Sequence, residues 1–340
     1  MSATATTETV RVALIGCGGF AKHHARRVAA REDAEVVALV DVSSEATEKF
    51  AEACEVPASV PHFTDAAAMY DEIEPDAVMI STPHTLHYDH IMAALDRGVH
   101  VLVEKPMVTS ADHARAVMAR QEQTGTAVVI GYNTACSREL EFVRRTVRDG
   151  SLGRLELISG YISQNWMKAT VGTWRQKPEL SGGGQAYDSG AHPITSVLWP
   201  VESMPAEVHA FVDNHGTPVD INSVTNVRFE NGVFASITIS GNCPTHGTFL
   251  TFIFDGGRID MDGWGAGWIK VFKGKDEVDD PLADVDFPPA GYTGDDNLID
   301  VVLGKAEARA TPVQGLRHAQ LMDMIYASQA KGGAVKAGEI

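Results

Sequence analysis

The chain has 340 residues, 44% apolar and 21% charged, which anticipates about two domains and excludes a wholly disordered protein. Twenty-eight basic residues against 45 acidic ones leave a formal charge of −17, so long-range repulsion disfavours nonspecific binding to nucleic acid or an anionic membrane surface. No apolar run of about 18 residues predicts a membrane span, and the four scattered cysteines (Cys17, Cys54, Cys136, Cys243) form no C-x-x-C pair that would predict a disulfide framework or a thiolate zinc site. The opening residues, Met1 to Val10, have no basic region and no apolar core; they read as a frayed tail and not a signal peptide, and a cytoplasmic protein is expected.

Over the first part of the chain, short β-rich runs are expected at Val10–Ile15, Glu35–Val40, Ala77–Ile80, His100–Val103 and Ala127–Ile130. Helix-compatible stretches at Ala21–Arg31, Glu45–Cys54, Ala66–Glu72, Tyr88–Arg97 and Ala111–Thr124 lie between them. Strands alternating with helices predict a mostly parallel sheet covered on both faces, and nearly continuous apolar strands fit that burial. Beyond residue 150 the texture changes to strands at Leu155–Ser163, Ala206–Asp213, Val224–Glu230, Val233–Ser240, Thr248–Phe254 and Trp268–Phe272. Asn231-Gly232 and Asp255-Gly256-Gly257 read as hairpin turns, so this second domain should be a helix-backed antiparallel sheet. In Val233–Ser240, Val233, Ala235, Ile237 and Ile239 alternate with Ser236, Thr238 and Ser240, giving one core face and one small polar face that is either solvated or packed flat on a partner subunit. The tail is predicted helical over Asp295–Lys305 and Pro312–Gln329, packing back onto the structure.

Gly16-Cys17-Gly18-Gly19-Phe20-Ala21 follows the first strand and opens a helix, which is G-x-G-x-x-A in the setting that gives the dinucleotide fingerprint its meaning. Gly16 allows the tight turn, Gly18 lets backbone approach a pyrophosphate, and Ala21 permits close packing of helix on strand. Asp41, closing the second strand, is placed to accept hydrogen bonds from ribose hydroxyls and to repel a 2′-phosphate, so NAD is expected in preference to NADP. His100-Val-Leu-Val-Glu104-Lys105-Pro106 puts a charged pair at the carboxyl end of a buried strand, where Lys105 could stabilise a developing alkoxide. In Ser181-Gly-Gly-Gly-Gln-Ala-Tyr-Asp188-Ser-Gly-Ala-His192, a helix over Asp188–Leu198 would set Asp188 and His192 on one face. Three glycines before it would let substrate approach closely, with His192 as a base near neutral pH and Asp188 orienting it.

In this order the segments VALIGCGGFA, STPHTLHYDHIMAALDRGVHVLVEKPM and TWRQKPELSGGGQAYDSGAH resemble the glucose–fructose oxidoreductase/inositol dehydrogenase family (Gfo/Idh/MocA). The resemblance implies an α/β fold: an N-terminal Rossmann dinucleotide-binding domain (8–133) and a C-terminal α+β domain with a large, mostly antiparallel sheet (134–335) that binds substrate and mediates oligomerisation. It implies catalysis by Lys105, Asp188 and His192, with His192 as general base, Lys105 polarising the hydroxyl and Asp188 contacting substrate and steering His192. The cofactor set it implies is Gly16, Gly18, Gly19, Phe20, Ala21, Asp41, Ser81, Thr82, Pro83, His84, His87, Glu104, Lys105, Trp174 and Arg175. The substrate set adds Asn133 and Trp166 to Lys105, Arg175, Asp188 and His192. His84 stands where the family often has asparagine, so cofactor contacts there are expected to differ, and Ala135-Cys136 stands where many members carry Arg-Phe on the substrate side, so substrate choice is expected to differ. The Trp264–Trp268 loop and Gln164–Lys168 offer stacking and hydroxyl-binding groups.

The resemblance implies an NAD-dependent dehydrogenase of a sugar, glycoside or cyclic polyol, and the small-residue outer face of the second sheet is expected to support a homodimer or homotetramer. A close chemical variant would retain its NAD and carry out net epimerisation or elimination through a keto intermediate. A non-catalytic NAD sensor would need only the glycine loop and Asp41. No metal is expected: His84, His87 and His90 lack a completing ligand, and no G-x-S-x-G elbow supports acyl transfer.

Overall fold

The computed structural model describes residues 9–265, 267–286 and 288–340. The expected tail over residues 1–8 and Ala266 of the tryptophan loop lie outside them. The chain divides into two compact units, one of residues up to Met107 with Arg115–Gly131 and Thr293–Pro312, the other of Val108–Ala114, Tyr132–Tyr292 and Val313–Ile340. Compared with a single cut at 133, the first unit thus recovers a downstream segment, whose helix Gly294–Val302 buries Leu298 and Ile299 in its core. The long helix Pro312–Lys331 lies almost wholly in the second unit and not with the first.

The first unit alternates β1 (Val10–Ile15), α1 (Ala21–Ala29), β2 (Ala34–Val40), α2 (Ser44–Ala53), β3 (His62–Phe63), α3 (Ala66–Ile73), β4 (Ala77–Ile80), α4 (His87–Leu95), β5 (His100–Val103), most of α5 (Ala111–Thr124), whose first turn groups with the second unit, and β6 (Val128–Ile130). The six strands pair in parallel in the order β3-β2-β1-β4-β5-β6. Both faces are covered, which is why Val12, Leu14, Val78, Ile80, Val101 and Val103 are all at or below 1% exposure and the strands read as unbroken apolar runs. The order reverses between β1 and β4. Gly16 N–H donates to Val40 O, Ser81 N–H to Ile15 O and Glu104 N–H to Ile80 O, so the loops after β1, β4 and β5 leave from one sheet edge, the side where such folds bind ligands.

The second unit holds α6 (Arg138–Asp149), β7 (Leu155–Ser163), α7 (Trp166–Ala169), α8 (Pro178–Ser181), α9 (Ala191–Val201), β8 (Pro205–Asp213), β9 (Asn222–Phe229), β10 (Phe234–Ser240), β11 (Gly247–Phe254), β12 (Gly257–Met261), β13 (Ile269–Lys273), β14 (Asp276–Glu277) and β15 (Val335–Lys336). Its nine strands run β14-β13-β12-β11-β7-β10-β9-β8-β15, antiparallel everywhere except between β7 and β10. Asn231-Gly232 turns β9 into β10 with Gly232 at φ 91°, and Asp255–Gly257 turns β11 into β12. Ala235, Ile237 and Ile239 face the core. The other face differs from the small polar surface expected from β10: Phe234 and its partner Leu157, with Tyr161 and Val224 flanking Thr238 and Phe211 beside Val224, stand exposed on it. Helix α6 is an addition to the expected elements; Ser137 Oγ caps it by accepting from Leu140 N–H, and Gly150 ends it at φ 67°. Among the described residues no helix is long and apolar enough to cross a membrane.

Candidate active site

Gly16 has φ 91°, and a Cβ there would stand 2.8 Å from the carbonyl carbon of Ser81, so the close crossing of the β1 and β4 ends requires glycine. Gly18 and Gly19 have different surroundings: a Cβ on either meets nothing within 4 Å, and the space before the loop is open. Ala21 is buried, whereas Phe20 is exposed. Helix α1 has no side-chain cap and no acidic residue in its first turn, which leaves its leading N–H groups and the positive end of its dipole to an anion. Asp41 already serves its own turn: Oδ2 accepts from Cys17 N–H at 2.9 Å and Oδ1 from Ser43 N–H at 3.0 Å. Each carboxylate oxygen keeps a further lone pair for a hydroxyl donor. Burial, and then the charge of Asp41, push the Cys17 thiol up to about 12, so it is no thiolate at neutral pH.

β4 and β5 end in Ser81-Thr82-Pro83 and Glu104-Lys105-Pro106. Ser81 Oγ and Thr82 Oγ1 are buried with no hydrogen-bond partner, an arrangement that fits hydroxyls meant for a ligand at the switch point. His84 is buried with its ring edge-on to His87 at 5.9 Å. His87 departs from the expected cofactor set. It is wholly buried, with Nδ1 2.8 Å from Pro106 O and Nε2 2.9 Å from Thr82 O, so its ring ties the two loops together and presents no surface to a ligand. Glu104 is likewise an anchor: Oε1 is 3.4 Å from His24 Nε2, Oε2 accepts from Lys105 N–H, and the missing Cβ of Gly131 makes room for the carboxylate. The chain leaves that anchored residue directly into Lys105. Among the described residues no three His, Cys, Asp or Glu side chains gather as a metal-ligand set.

In the second unit every residue of α9 except His192 is buried. The helix begins at Ala191, three residues later than the expected Asp188, because residues 184–190 form turns fastened to Asp220. That buried carboxylate accepts from Gly184 N–H at 2.6 Å, Ala186 N–H at 2.8 Å and Tyr326 Oη at 2.6 Å. The same packing explains the three glycines: a Cβ on Gly182, Gly183 or Gly184 would strike Thr109, Tyr326 or the Asp220 backbone respectively. They fit the protein to itself, and no approach of substrate is needed to account for them. Asp188 Oδ2 accepts from Trp166 Nε1 at 2.7 Å and from Arg175 Nε at 2.9 Å, while the Arg175 guanidinium lies 4.6 Å over the Trp174 ring. Trp166 is buried against Val219 and Ile221, so its indole holds Asp188 in place and offers no stacking face to a sugar. His192, which Asp188 is expected to orient, has its Nδ1 3.0 Å from Asn133 Oδ1, and its ring stacks on Trp264 at 4.1 Å with 26° between planes. His246 meets the same indole edge-on at 5.7 Å.

Reasoning from the sequence passes over Asp220, Tyr326 and His246. Only for Asp220 is there a local signal, an acidic residue between the apolar Val219 and Ile221. The others gain their roles from partners far along the chain.

A parallel sheet with its glycine turn at the switch point, followed in sequence by a large antiparallel sheet, defines a Rossmann-type dinucleotide-binding fold with a second α+β domain. The chain belongs to the Gfo/Idh/MocA family: the family's NAD-binding Rossmann profile matches residues 10–132 and its C-terminal domain profile residues 140–260. It is 30% identical over 200 residues to D-glucoside 3-dehydrogenase of Escherichia coli K12, an alignment covering 58% of this chain and 56% of that enzyme. The chain therefore spans little more than half the length of that relative. It is 27% identical over 256 residues to an NADP(+)-dependent scyllo-inositol 2-dehydrogenase of Bacillus subtilis, covering 66% of this chain and 70% of the relative. Among solved structures, levoglucosan dehydrogenase in complex with NADH and levoglucosan has the same fold, with a TM-score of 0.83 over 97% of this chain and 100% of that one at 19% identity.

Proposed function

We propose that this protein oxidises a secondary hydroxyl of a sugar, glycoside or cyclic polyol to a ketone, using NAD. The observation that carries the reading is the paired arrangement in the second unit. One ionisable base, His192, is held by Asn133 and Trp264 on an otherwise buried helix, and the carboxylate four residues before it, Asp188, is pinned by Trp166 and Arg175. The names of the relatives, dehydrogenases of a glucoside and an inositol, support the substrate class. The glycine loop, the Ser81 and Thr82 hydroxyls and Asp41 are the residues that would hold the dinucleotide, which supplies the hydride acceptor when bound.

The chain's own residues have the proton to manage. Oxidising the alcohol releases the hydroxyl proton, and His192 Nε2 takes it as general base. Lys105, issuing from the anchored Glu104, is the cation proposed to stabilise the charge that grows on the alcohol oxygen. Asp188, with Arg175 neutralising its charge, accepts hydrogen bonds from neighbouring hydroxyls. Asp41 favours NAD over NADP by opposing a 2′-phosphate; the family contains an NADP(+)-dependent relative, so this preference belongs to the individual chain. The outward face of the second sheet is proposed to seat another copy of the chain in a homodimer or homotetramer.

The test is an absorbance screen for NADH formation over sugars, glycosides and inositols, with NAD and NADP run in parallel. We expect turnover with NAD on at least one polyol, and a fall of about 100-fold or more in kcat for Lys105→Ala and His192→Ala with NAD affinity retained. Wild-type turnover by either variant would remove that residue from the mechanism; binding of NAD without reduction on the whole panel would reject the dehydrogenase reading.

A further inference from the structure

We propose that Asn133 is a positioning residue that fixes the tautomer of His192, holding the proton on Nδ1 so that Nε2 carries the lone pair used in catalysis; the catalytic part of this rests on the function proposed above. A neutral imidazole has one N–H and one lone pair, and only the nitrogen with the lone pair can act as a base. Which nitrogen that is depends on what the other one meets.

The chain of constraint starts in the loop after β12. Asp262 Oδ2 accepts from Thr248 Oγ1 at 2.7 Å and Oδ1 from Trp264 N–H at 2.8 Å, while Asp262 O accepts from Gly265 N–H at 3.1 Å. The Trp264 peptide is therefore oriented by Asp262. Its carbonyl oxygen lies 3.2 Å from Asn133 Nδ2. A carbonyl is only an acceptor, so the asparagine atom facing it must be the NH2. The reverse amide would set two acceptor oxygens against each other at that distance. With the amide thus assigned, the atom 3.0 Å from His192 Nδ1 is Asn133 Oδ1, again only an acceptor, so Nδ1 carries the hydrogen. Stacking on Trp264 at 4.1 Å restrains the plane of the ring, and the same tryptophan thereby supplies both the ring's support and the carbonyl that orients its partner. His246 meets the Trp264 indole edge-on at 5.7 Å, and Asp188, four residues before His192, is paired with Arg175.

The amide is well suited to this task. Aspartate at position 133 would also accept from Nδ1–H, but its negative charge favours the imidazolium, and it has no N–H for Trp264 O. Leucine would take the acceptor away from Nδ1. Asn133 is exposed, so neither substitution disturbs a core.

The experiment is ring-nitrogen NMR of the full-length protein labelled with 15N-histidine, the His192 signals being assigned by their loss in His192→Gln, together with pH–rate profiles. In the wild type near neutral pH we expect Nδ1 protonated and Nε2 bare. Asn133→Leu should give a mixture of tautomers, or the Nε2–H form, and about a tenfold lower kcat/KM. Asn133→Asp should keep Nδ1–H but move the acid limb of kcat/KM upward by about one pH unit. A wild-type His192 protonated on Nε2, an Asn133→Leu spectrum identical to wild type, or an acid limb unmoved in Asn133→Asp would each overturn the assignment. The spectra need neither substrate nor cofactor, so a protein inert toward every polyol would reject the proposed reaction while the tautomer result stood by itself.

Discussion

His24 lies in the first unit between two carboxylates, Asp295 Oδ1 at 2.6 Å from Nδ1 and Glu104 Oε1 at 3.4 Å from Nε2, and is 2% exposed. Burial works against the imidazolium, but the charges and hydrogen bonds of Asp295 and Glu104 outweigh it and push His24 from its ordinary 6.5 up to about 10. The same pairing holds the Asp295 carboxyl below its usual range, against its own burial. A histidine whose affinity for the proton rises on folding stabilises the fold fully below its unfolded value and loses that contribution as the pH climbs through about 10. The lowered Asp295 contributes above the ordinary carboxylate range and loses its share as the pH falls. We expect the melting temperature of the wild type to decline steadily between about pH 7 and pH 10, and His24→Gln to melt lower at neutral pH with a flatter alkaline slope. Differential scanning fluorimetry across that range reads both; an unchanged slope in the variant would show that His24 is uncharged in the fold. The sequence shows two adjacent histidines, His23 and His24, after the glycine loop. It is silent on the charge, since Asp295 is 271 residues away along the chain.

At the level of elements, short-range signals were sufficient wherever one physical period or one turn decides the outcome. β1, β4 and β5 are legible as unbroken apolar runs, the β9–β10 and β11–β12 hairpins from their glycine turns, and Gly16 from the strand before it and the helix after it. The start of α9 was not legible in the same way, because it depends on a tertiary clamp. Asp220, just ahead of β9, ties down residues 184–186, and the turns they form delay the helix to Ala191. We expect Asp220→Ala to cost about 3 kcal/mol, because it strips the partner from buried N–H groups of Gly184 and Ala186 and from the Tyr326 hydroxyl. Equilibrium urea unfolding measures this; a loss below about 0.5 kcal/mol would mean that the loop is held by its packing alone. The Asp220→Asn variant keeps the size and one acceptor and should recover part of that stability.

On the scale of the whole molecule, the outward face of the second sheet is the feature without an account inside one chain. Leu157, Tyr161, Val224, Phe211 and Phe234 are between 41% and 63% exposed there, on four neighbouring strands. Apolar side chains gathered in this way on a sheet face are characteristic of an interface. In β10 the alternation over Ser236, Thr238 and Ser240 suggests a small polar face, but Phe234 begins the same face, and register sets the apolar residues of the neighbouring strands beside it. We expect the wild type to sediment as a dimer or tetramer and Phe211→Asp combined with Phe234→Asp to sediment as a monomer that keeps its circular dichroism spectrum. A monomeric wild type, or an assembly that withstands both charges, would assign this face to solvent.

What the amino-acid order determines by itself here is whatever is decided within about one strand or one turn of chain: the parallel and antiparallel halves, the glycine loop, the hairpins, and the kinds of side chain available for chemistry. Periodicity and backbone sterics act locally, so they can be read locally. Only the tertiary structure decided that His192 is held by Asn133 and Trp264, that Trp166 and Arg175 share the Asp188 carboxylate, and that His87 and Glu104 brace loops. Hydrogen bonds, ion pairs and ring stacking act over a few ångströms of space whatever the separation along the chain, and that proximity exists only after folding.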